Sequence, residues 1–292
     1  MAIRLAIVGP GRVGQALGRR WVEQGVDLLG FVGRRPETVA AAVRFCGAGA
    51  ALTPLAAVQA HVLVFAVGDP DLAPAIATLA GASPRSCSLW LHTRGRHDER
   101  AFAAVQGHGI RVGALHPVAP FPDALAGWRA LERMPAVLSG DAAARRLLER
   151  LTTLLGMTPL WSTGGDRVLY HAACALAANG LTALRSLVDQ VFVVAGGLPP
   201  AGAAEVAAAL MHAALRACDQ RGAAAALSGP VRRGDAATVR DHRTALQAHC
   251  PAADPAYRAL MRQALELARS RGLGDAAAQA VAAALAGGPP PA

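Results

Sequence analysis

Three glycines near the N-terminus have the spacing of a phosphate-binding turn. Gly9, Gly11 and Gly14 form a G-x-G-x-x-G pattern directly after an apolar run from Ile3 to Val8. In a strand-turn-helix unit these glycines allow a tight turn, a backbone laid against a pyrophosphate, and close helix packing. The following helix directs its N-terminal amides at the phosphates. The alternative is a purely structural turn. We expect dinucleotide binding by residues 9–14, namely Gly9, Pro10, Gly11, Arg12, Val13 and Gly14.

The end of the second predicted strand indicates which dinucleotide binds. Leu28 to Val32 reads as a strand, and Gly33, Arg34 and Arg35 follow it. Proteins that bind NAD usually place an acid here for the ribose 2′-hydroxyl, whereas arginine accommodates the 2′-phosphate of NADP. Gly33 occupies the acid's place, and the two guanidinium groups can form charge-assisted bonds with a phosphate. The sequence therefore predicts NADP, the alternative being a solvated arginine pair at the start of a helix.

Later strand ends carry further candidate residues. Ligands of open α/β sheets bind at the carboxyl ends of the strands. Asp69 and Asp71, which follow one of these ends, are expected to serve as turn and helix-capping residues. Two predicted strands, Val62–Phe65 and 88–91, are followed by residues expected near the cofactor. These residues are Ala66, Val67, Gly68, His92 and Thr93. His116 follows a third strand, and an imidazole can give or take a proton at neutral pH.

The chain contains no lysine, so all 29 basic residues are arginines. This composition excludes a P-loop lysine, a Schiff-base lysine and a lysine general acid. A carbonyl reduction leaves an alkoxide that must be protonated. The remaining neutral-pH donors expected in the cleft are His116 and His171.

The composition also limits which binding partners and which cellular compartment are expected. The net charge is +9, but arginines alternate with acids and aromatic residues are only 4%, which argues against nucleic acid as the main partner. Five scattered cysteines suggest a reducing cytoplasm and neither a disulfide framework nor a metal site. No apolar run reaches the ~18 residues of a membrane span, and a strand begins too early for a secretory signal. We expect a cytoplasmic protein without membrane segments.

The order of the patterns predicts two domains. Residues 1–163 read as an α/β fold, an N-terminal Rossmann-type doubly wound parallel sheet whose last strands are Pro135–Leu138 and 157–160. Residues 164–286 read as an all-α C-terminal domain, beginning with one helix over Arg167–Val194. Asp235 is placed to cap a helix that ends at His249. The tail, residues 287–292, is expected to be disordered.

Four short segments, in this order, resemble a family of Rossmann-like reductases with a helical C-terminal domain. They are His92–Gly95, Leu115–Asp123, Tyr170–Asn179 and Gly229–Asp235. The family is part of the 6-phosphogluconate-dehydrogenase-like superfamily, with the pyrroline-carboxylate, ketopantoate and prephenate-type oxidoreductases. The resemblance implies an NADP-binding fold, a cleft between the domains and a homodimer built from the helical halves. Arg94 stands where this family places serine.

The resemblance also suggests catalytic residues. Many superfamily members carry K-x-x-x-N on the first long helix, and Asn179 resembles that asparagine, with Ala175 in the lysine's place. His171 lies eight residues before Asn179, roughly on the same helix face, and either replaces the lysine or is a buried structural histidine. His116-Pro117 resembles the pair that contacts the reacting hydroxyl in prephenate-type dehydrogenases. The alternative for His116 is a turn histidine held by the proline.

Together these observations predict an NADP-dependent oxidoreductase that reduces C=O or C=N in a small anionic metabolite. Arg232 and Arg233, in a turn-rich interruption of the helical domain, are expected to bind a substrate carboxylate. A ketopantoate-like 2-oxo acid is the preferred substrate, and a cyclic imine of the pyrroline-carboxylate type is second. A sensor or scaffold that binds NADP without turnover is the alternative from another class.

Overall fold

The computed structural model describes residues 3–82, 89–105 and 109–287. The chain divides into two compact units, Met1–Leu176 and Ala177–Ala292. None of the described helices is both long and apolar enough to cross a bilayer. Cys87 and Ser88, the latter predicted to begin a strand, lie outside the described residues, and so does the predicted disordered tail after Gly287.

The first unit is built on one eight-stranded sheet. Its strands are β1 (Arg4–Val8), β2 (Asp27–Val32), β3 (Ala50–Ala51), β4 (Val62–Phe65), β5 (Leu89–His92), β6 (Arg111–Pro117), β7 (Pro135–Gly140) and β8 (Thr158–Trp161). They lie in the order β3-β2-β1-β4-β5-β6-β7-β8, and the first six follow the doubly wound Rossmann order. This arrangement confirms the predicted fold class.

The sheet departs from the predicted parallel arrangement at a single pair of strands, because β6 and β7 are antiparallel. The connection between them contains a short helix, Ala124–Ala130, which packs beside the helix Arg12–Glu23. There the indole of Trp128 donates a hydrogen bond to Glu23 (2.9 Å), and Arg20 donates one to the Trp128 carbonyl (3.2 Å). A parallel pair needs a crossover over the sheet face, and this connection does not make one.

Helices cover both faces of the sheet. They are α1 (Arg12–Glu23), α2 (Pro36–Cys46), α3 (Pro54–Ala57), α4 (Asp69–Ala80), α5 (Ala124–Ala130), α6 (Arg145–Leu154) and α7 (Arg167–Ala175), with 3₁₀ turns at Glu99–Val105 and Ala142–Ala144. Successive side chains of a strand point to opposite faces, so Leu5 and Ile7 enter one core while Ala6 and Val8 enter the other. Burial on both faces explains why the strands read as continuous apolar runs.

The helix predicted over Arg167–Val194 is present, with a local change of winding. Its first part is α7, the π turn Leu176–Gly180 follows, and α8 (Leu181–Ala195) completes it. A π turn has wider hydrogen-bond spacing than an α-helix and shifts the angular position of later side chains. The expectation that His171 and Asn179 share one helix face assumes regular α-helical winding, and the winding changes between these two residues.

The second unit is helical, as predicted. After α8 it contains α9 (Pro200–Arg221), α10 (Ala223–Ala226), α11 (Pro230–Arg233), α12 (Ala236–His249), α13 (Asp254–Ser270) and α14 (Asp275–Ala286), with a 3₁₀ turn at Pro251–Ala253. Asp235 caps α12 by accepting a hydrogen bond from the Thr238 amide (3.0 Å). The buried Arg243 donates to Asp254 (3.0 Å) and to the Ala284 carbonyl (2.8 Å), which ties α12, α13 and α14 together.

The two compact units divide between Leu176 and Ala177, later than the boundary expected after residue 163. The difference concerns α7, which the sequence places with the helical domain. In the structure its side chains contact the sheet unit: the Tyr170 hydroxyl is hydrogen-bonded to His116, 54 residues earlier in the chain (2.8 Å). Packing of α7 against strand ends therefore decides its unit.

Candidate active site

The glycine turn after β1 is shaped by close backbone contacts. Gly9 has φ +105°, and a Cβ on it would lie 2.6 Å from the Ala66 carbonyl oxygen. A Cβ on Gly14 would overlap the carbonyl oxygen of Gly9. Gly11 differs, because apart from its chain neighbours no atom of the described residues lies within 4 Å of the position its Cβ would take. The fold therefore requires Gly9 and Gly14, whereas Gly11 leaves open space beside the turn.

The N-terminus of α1 faces this turn without a capping side chain. Gly11 is the N-cap residue, and no side chain accepts a hydrogen bond from the first amides of the helix. Uncapped amides and the helix dipole together form an anion site. The side chain of Arg12 is turned to the Pro122 carbonyl (3.0 Å), so only its backbone amide serves this site. A pyrophosphate fits the free amides and the space at Gly11.

The end of β2 presents two exposed arginines. Arg34 is 85% exposed and lies 3.3 Å from Asp71, and Arg35 is 74% exposed and lies 3.9 Å from Glu37. Both remain candidates for a 2′-phosphate. A Cβ on Gly33 would lie 2.6 Å from Pro10 and 2.8 Å from Val39. Gly33 is thus required by packing, so the absence of an acid at this position does not by itself indicate whether NAD or NADP binds.

The carboxyl ends of β1, β4, β5 and β6 lie side by side, with Val8, Phe65, His92 and Ala114 in register. Ala66, Val67 and Gly68 leave β4 beside the glycine turn, where the Ala66 amide donates to the Val8 carbonyl (2.8 Å). Gly68 is the N-cap residue of α4. These three residues therefore border the predicted phosphate site.

His92 has a structural role that the sequence did not reveal. Its side chain is fully buried; Nε2 donates to the Asp98 carbonyl (2.8 Å) and Nδ1 accepts from the Arg94 amide (3.2 Å). Burial lowers the pKa of His92 to about 4, so the ring is neutral at pH 7. Because both ring nitrogens are hydrogen-bonded within the chain, the ring has no free nitrogen for a ligand, and a cofactor contact through the backbone of His92 stays a prediction. Thr93, the next residue, is buried as well.

Arg94 and Asp69 form a close ion pair where β5 ends. The guanidinium donates two hydrogen bonds to the carboxylate, at 2.8 Å from Nε and 2.5 Å from Nη2, and His97 lies 3.3 Å from the same carboxylate. The bonds from Arg94 lower the pKa of Asp69. Asp69 was expected to be a turn or capping residue, but its main partner is this arginine.

His116 is hydrogen-bonded to a tyrosine from α7. Its Nδ1 lies 2.8 Å from the Tyr170 hydroxyl, and its Nε2 faces Gly95, 2.7 Å from where a Cβ would stand. Burial, with contributions from Arg167 and His171, lowers the pKa of His116 to about 4. Burial and a hydrogen bond with Cys174 raise the pKa of Tyr170. At neutral pH the site therefore holds a neutral imidazole and a protonated phenol.

His171 stands beside this pair. Its ring centre lies 6.3 Å from that of His116, and its Nδ1 lies 3.0 Å from the Cβ position of Gly95. That Nδ1 is buried and has no hydrogen-bond partner among the described residues. The first unit thus brings together both histidines that the sequence predicted as proton donors.

The remaining predicted site residues belong to the second unit. Asn179 lies in the π turn and is exposed. Arg232 and Arg233 end α11, where Arg232 donates a hydrogen bond to the Arg271 carbonyl (3.4 Å). Their roles in substrate binding stay predictions. Among the described residues, no group of three or more His, Cys, Asp or Glu side chains is arranged to hold a metal ion.

Comparison with protein families identifies the glycine-turn region. Residues 4–87 match the family model described as "NADP oxidoreductase coenzyme F420-dependent". The N-terminal part of the chain is an NADP oxidoreductase domain. This match confirms the expected oxidoreductase class and NADP cofactor. Residues 134–264 match a domain of unknown function (DUF2520). No functionally curated protein matches the sequence at a significant level.

Solved structures share the fold of the NADP oxidoreductase domain and of the helical region after it. A Bacteroides fragilis protein with a provisional NADP oxidoreductase name is 18% identical, with TM-score 0.73 over 91% of this chain and 98% of its own. A Coxiella burnetii pyrroline-5-carboxylate reductase is 15% identical, with TM-score 0.59 over 93% of this chain and 97% of its own. An Aspergillus terreus reductive aminase bound to NADPH is 19% identical, with TM-score 0.59 over 98% of this chain and 93% of its own. At these identities the likeness establishes the fold alone.

Sequence reasoning missed two neighbours of His116. Tyr170 and Gly95 entered the sequence analysis only as the ends of family-like segments, although Tyr170 is hydrogen-bonded to His116 and Gly95 lies against its Nε2. Their sequence signal was their place in two of the four family-like segments. Their chemistry depended on a contact between residues 54 positions apart, which no local pattern reports.

Proposed function

We propose that this protein is an NADPH-dependent reductase of a small molecule that carries a C=N or C=O bond. The observation that carries the proposal is the arrangement at the carboxyl edge of one sheet. An open, uncapped glycine turn follows β1, and the hydrogen-bonded pair of His116 and Tyr170 stands at the end of β6. The first feature suits a dinucleotide phosphate, and the second supplies a proton-handling group.

The residues that would hold the cofactor are those at the ends of β1, β2 and β4. The amides of Arg12, Val13 and Gly14 at the start of α1 bind the pyrophosphate, and Arg34 and Arg35 bind the 2′-phosphate. NADPH, when bound, supplies a hydride to the substrate carbon. The chain itself must orient the substrate and provide a hydrogen-bonding group for its nitrogen or oxygen, which for a carbonyl includes the delivery of one proton.

The His116 and Tyr170 pair performs the second task. In the proposed arrangement the Tyr170 hydroxyl donates to Nδ1 of His116, which leaves the imidazole proton on Nε2, the nitrogen that faces Gly95. The raised pKa of Tyr170 keeps its hydroxyl protonated for this role. In this tautomer Nε2–H donates a hydrogen bond to a carbonyl oxygen, and in the other tautomer Nε2 accepts one from the N–H of an iminium ion.

The neutral state of His116 favours a C=N substrate over a C=O substrate. An iminium ion already carries its proton, whereas an alkoxide must take one from the site, and an imidazole with a pKa of about 4 holds no spare proton at pH 7. Two of the solved structures with this fold are pyrroline-carboxylate reductases and one is a reductive aminase. A 2-oxo acid remains the second candidate.

Single-turnover oxidation of NADPH tests the proposal. Purified protein is mixed with NADPH and a panel of cyclic imines, imines formed in situ and 2-oxo acids, and the loss of reduced-cofactor absorbance is followed. At least one compound is expected to oxidise bound NADPH, and imines are expected to react faster than 2-oxo acids. Tight NADPH binding without oxidation by any compound would instead favour a sensor or scaffold.

We also propose a cytoplasmic homodimer formed through the helical region. The described cysteines Cys46, Cys174, Cys218 and Cys250 are free thiols, which is typical of a reducing compartment. Support for assembly comes from the helix Arg167–Ala195, in which no residue is fully buried despite its apolar composition. A second copy would cover this surface.

A further inference from the structure

α7 presents two buried polar atoms without partners on the side that meets the His116 pair. Nε of Arg167 and Nδ1 of His171 are both buried, and neither has a hydrogen-bond partner among the described residues. Residues four apart lie on the same face of a helix. A buried polar atom without a partner costs free energy, so two of them on one face indicate that a ligand completes the site.

The charges nearby indicate the sign of that ligand. Arg94 is neutralised by Asp69, and His92 and His116 are neutral at pH 7. Two acids near Arg167 are already engaged: Asp98 binds Arg100 through both oxygens, while Asp166 caps α7 by accepting from the amides of Val168 and Leu169. Within the part of the chain that the structure describes, Arg167 forms no ion pair with a carboxylate.

The position of Arg167 places this positive charge beside the proposed reacting centre. Its guanidinium carbon lies 4.3 Å from the ring centre of Tyr170, whose hydroxyl is bonded to His116. A guanidinium stacked on an aromatic face keeps its N–H edge free for a planar anion. A carboxylate is planar and singly charged, and it accepts such paired hydrogen bonds.

We infer that Arg167, assisted by His171, binds a carboxylate of the substrate close to the reacting double bond. The inference rests on the proposed function, because it names the substrate class: cyclic imines or oxo acids with a carboxylate near the reduced carbon. Arg34 and Arg35 keep their proposed role of binding the 2′-phosphate of the cofactor. It differs from the sequence prediction that Arg232 and Arg233 bind the carboxylate.

Binding of an unreactive pair of analogues tests this inference. Protein loaded with NADP⁺ is titrated with pyrrole-2-carboxylate and, separately, with the uncharged pyrrole-2-carboxamide, by calorimetry. The carboxylate is expected to bind at least about tenfold more tightly, which corresponds to about 1.4 kcal/mol. Arg167→Gln is expected to abolish this preference while the affinities for the carboxamide and NADP⁺ stay unchanged. Arg167→Lys, which retains the charge without the planar fork, is expected to fall between them.

The matched control is Arg44→Gln, an exposed arginine in the last turn of α2, which should leave every affinity unchanged. A carboxylate preference that survives Arg167→Gln would overturn the inference. So would a preference lost in Arg232→Gln instead, or the failure of pyrrole-2-carboxylate to bind at millimolar concentrations. If NADP⁺ itself does not bind, the proposed function fails, and titration of the free protein with the two analogues still decides the role of Arg167.

Discussion

At the scale of single residues, exposure separates side chains that can meet a ligand from those that hold the fold. Arg34 is largely exposed and its charge partner among the described residues, Asp71, is itself 46% exposed, so exchanging Asp71 for a phosphate costs little. His92 is the opposite case, because its ring is fully buried and both nitrogens bind backbone groups. Both residues stand at or just after the end of a strand, and sequence position alone did not distinguish them.

Cofactor preference is the first prediction at this scale. Arg34→Ala is expected to weaken NADPH binding at least about tenfold, because each lost charge-assisted hydrogen bond contributes on the order of 1.5–3 kcal/mol. NADH binding should stay nearly unchanged, since NADH lacks the 2′-phosphate. Dissociation constants from cofactor fluorescence check both values. Equal affinities of the unmodified protein for NADPH and NADH would contradict the assignment of Arg34 and Arg35.

The second prediction concerns the role of His116. His116→Asn is expected to lower the rate of NADPH oxidation on the best substrate of the panel by roughly 10²–10⁴ while NADPH affinity stays unchanged. Tyr170→Phe should reduce the rate less, because it removes only the group that orients the imidazole. Stopped-flow single turnovers measure both effects. Unchanged rates in His116→Asn and His171→Asn alike would show that neither histidine handles the proton.

Acid sensitivity is the third prediction. Folding lowers the pKa of His92 and of His116 to about 4, against about 6.5 in an unfolded chain. As pH falls from 6.5 to 4 the unfolded chain takes up these protons first, so the free energy of unfolding decreases. Each histidine contributes a slope of up to about 1.4 kcal/mol per pH unit.

Urea unfolding between pH 7 and pH 4.5 measures this slope, and His116→Asn should make it shallower. The carboxylates with lowered pKa values, including Asp69 and Asp98, act at lower pH and do not account for this window. A free energy of unfolding that stays constant from pH 6.5 to pH 4.5 would contradict the buried, neutral state of the two histidines.

At the scale of elements, the β1-turn-α1 unit contains glycines that are required for different physical reasons. Gly14 is needed because a Cβ would overlap the Gly9 carbonyl, whereas Gly11 borders open space and has an ordinary backbone conformation, with φ −80°. A cofactor's pyrophosphate is expected to occupy that space. The same motif therefore combines one glycine required by packing with another required by ligand binding.

This difference gives a prediction with its own control. Gly11→Ala should keep the thermal stability of the protein and weaken NADPH binding at least about tenfold, because the added methyl group meets the phosphate. Gly14→Ala should lower the free energy of unfolding by about 1–3 kcal/mol through overpacking. Thermal unfolding and cofactor titration of both variants check this. Normal NADPH affinity in Gly11→Ala would place the pyrophosphate elsewhere.

At the scale of the whole molecule, the helix from α7 to α8 contains no fully buried residue. Leu169 and Leu176 are 69% and 75% exposed, and Val193 on α8 is 54% exposed. Large exposed apolar side chains that lie close together mark interaction surfaces in proteins, and these three are candidates for such a surface. The sequence predicts that a second copy covers them.

We therefore expect light scattering to give about twice the monomer mass of 29.8 kDa at micromolar concentration. Val193→Arg should shift the protein toward the monomer, because a charge on the covered surface cannot be desolvated cheaply. Leu55→Arg, at a leucine of α3 that is 64% exposed, is the matched control and should leave the mass unchanged. A mass near 30 kDa for the unmodified protein would reject the dimer.

The sequence by itself determined the elements and their order. Apolar runs, glycine spacing and capping residues act between neighbours in the chain, so β4 and the Asp235 cap of α12 were both predictable. The Rossmann class and the NADP cofactor followed from the same local patterns. The antiparallel pairing of β6 with β7 was not predictable, since it depends on where α5 packs.

Only the tertiary structure decided which of the candidate side chains meet. His116 and Tyr170 are 54 residues apart, and Arg94 and Asp69 are 25 apart, so their contacts follow from strand order and from the packing of α7. The same packing buried His92 and left Nε of Arg167 without a partner. Contacts over such separations are set by the shape of the whole core, and a local sequence pattern does not contain that information.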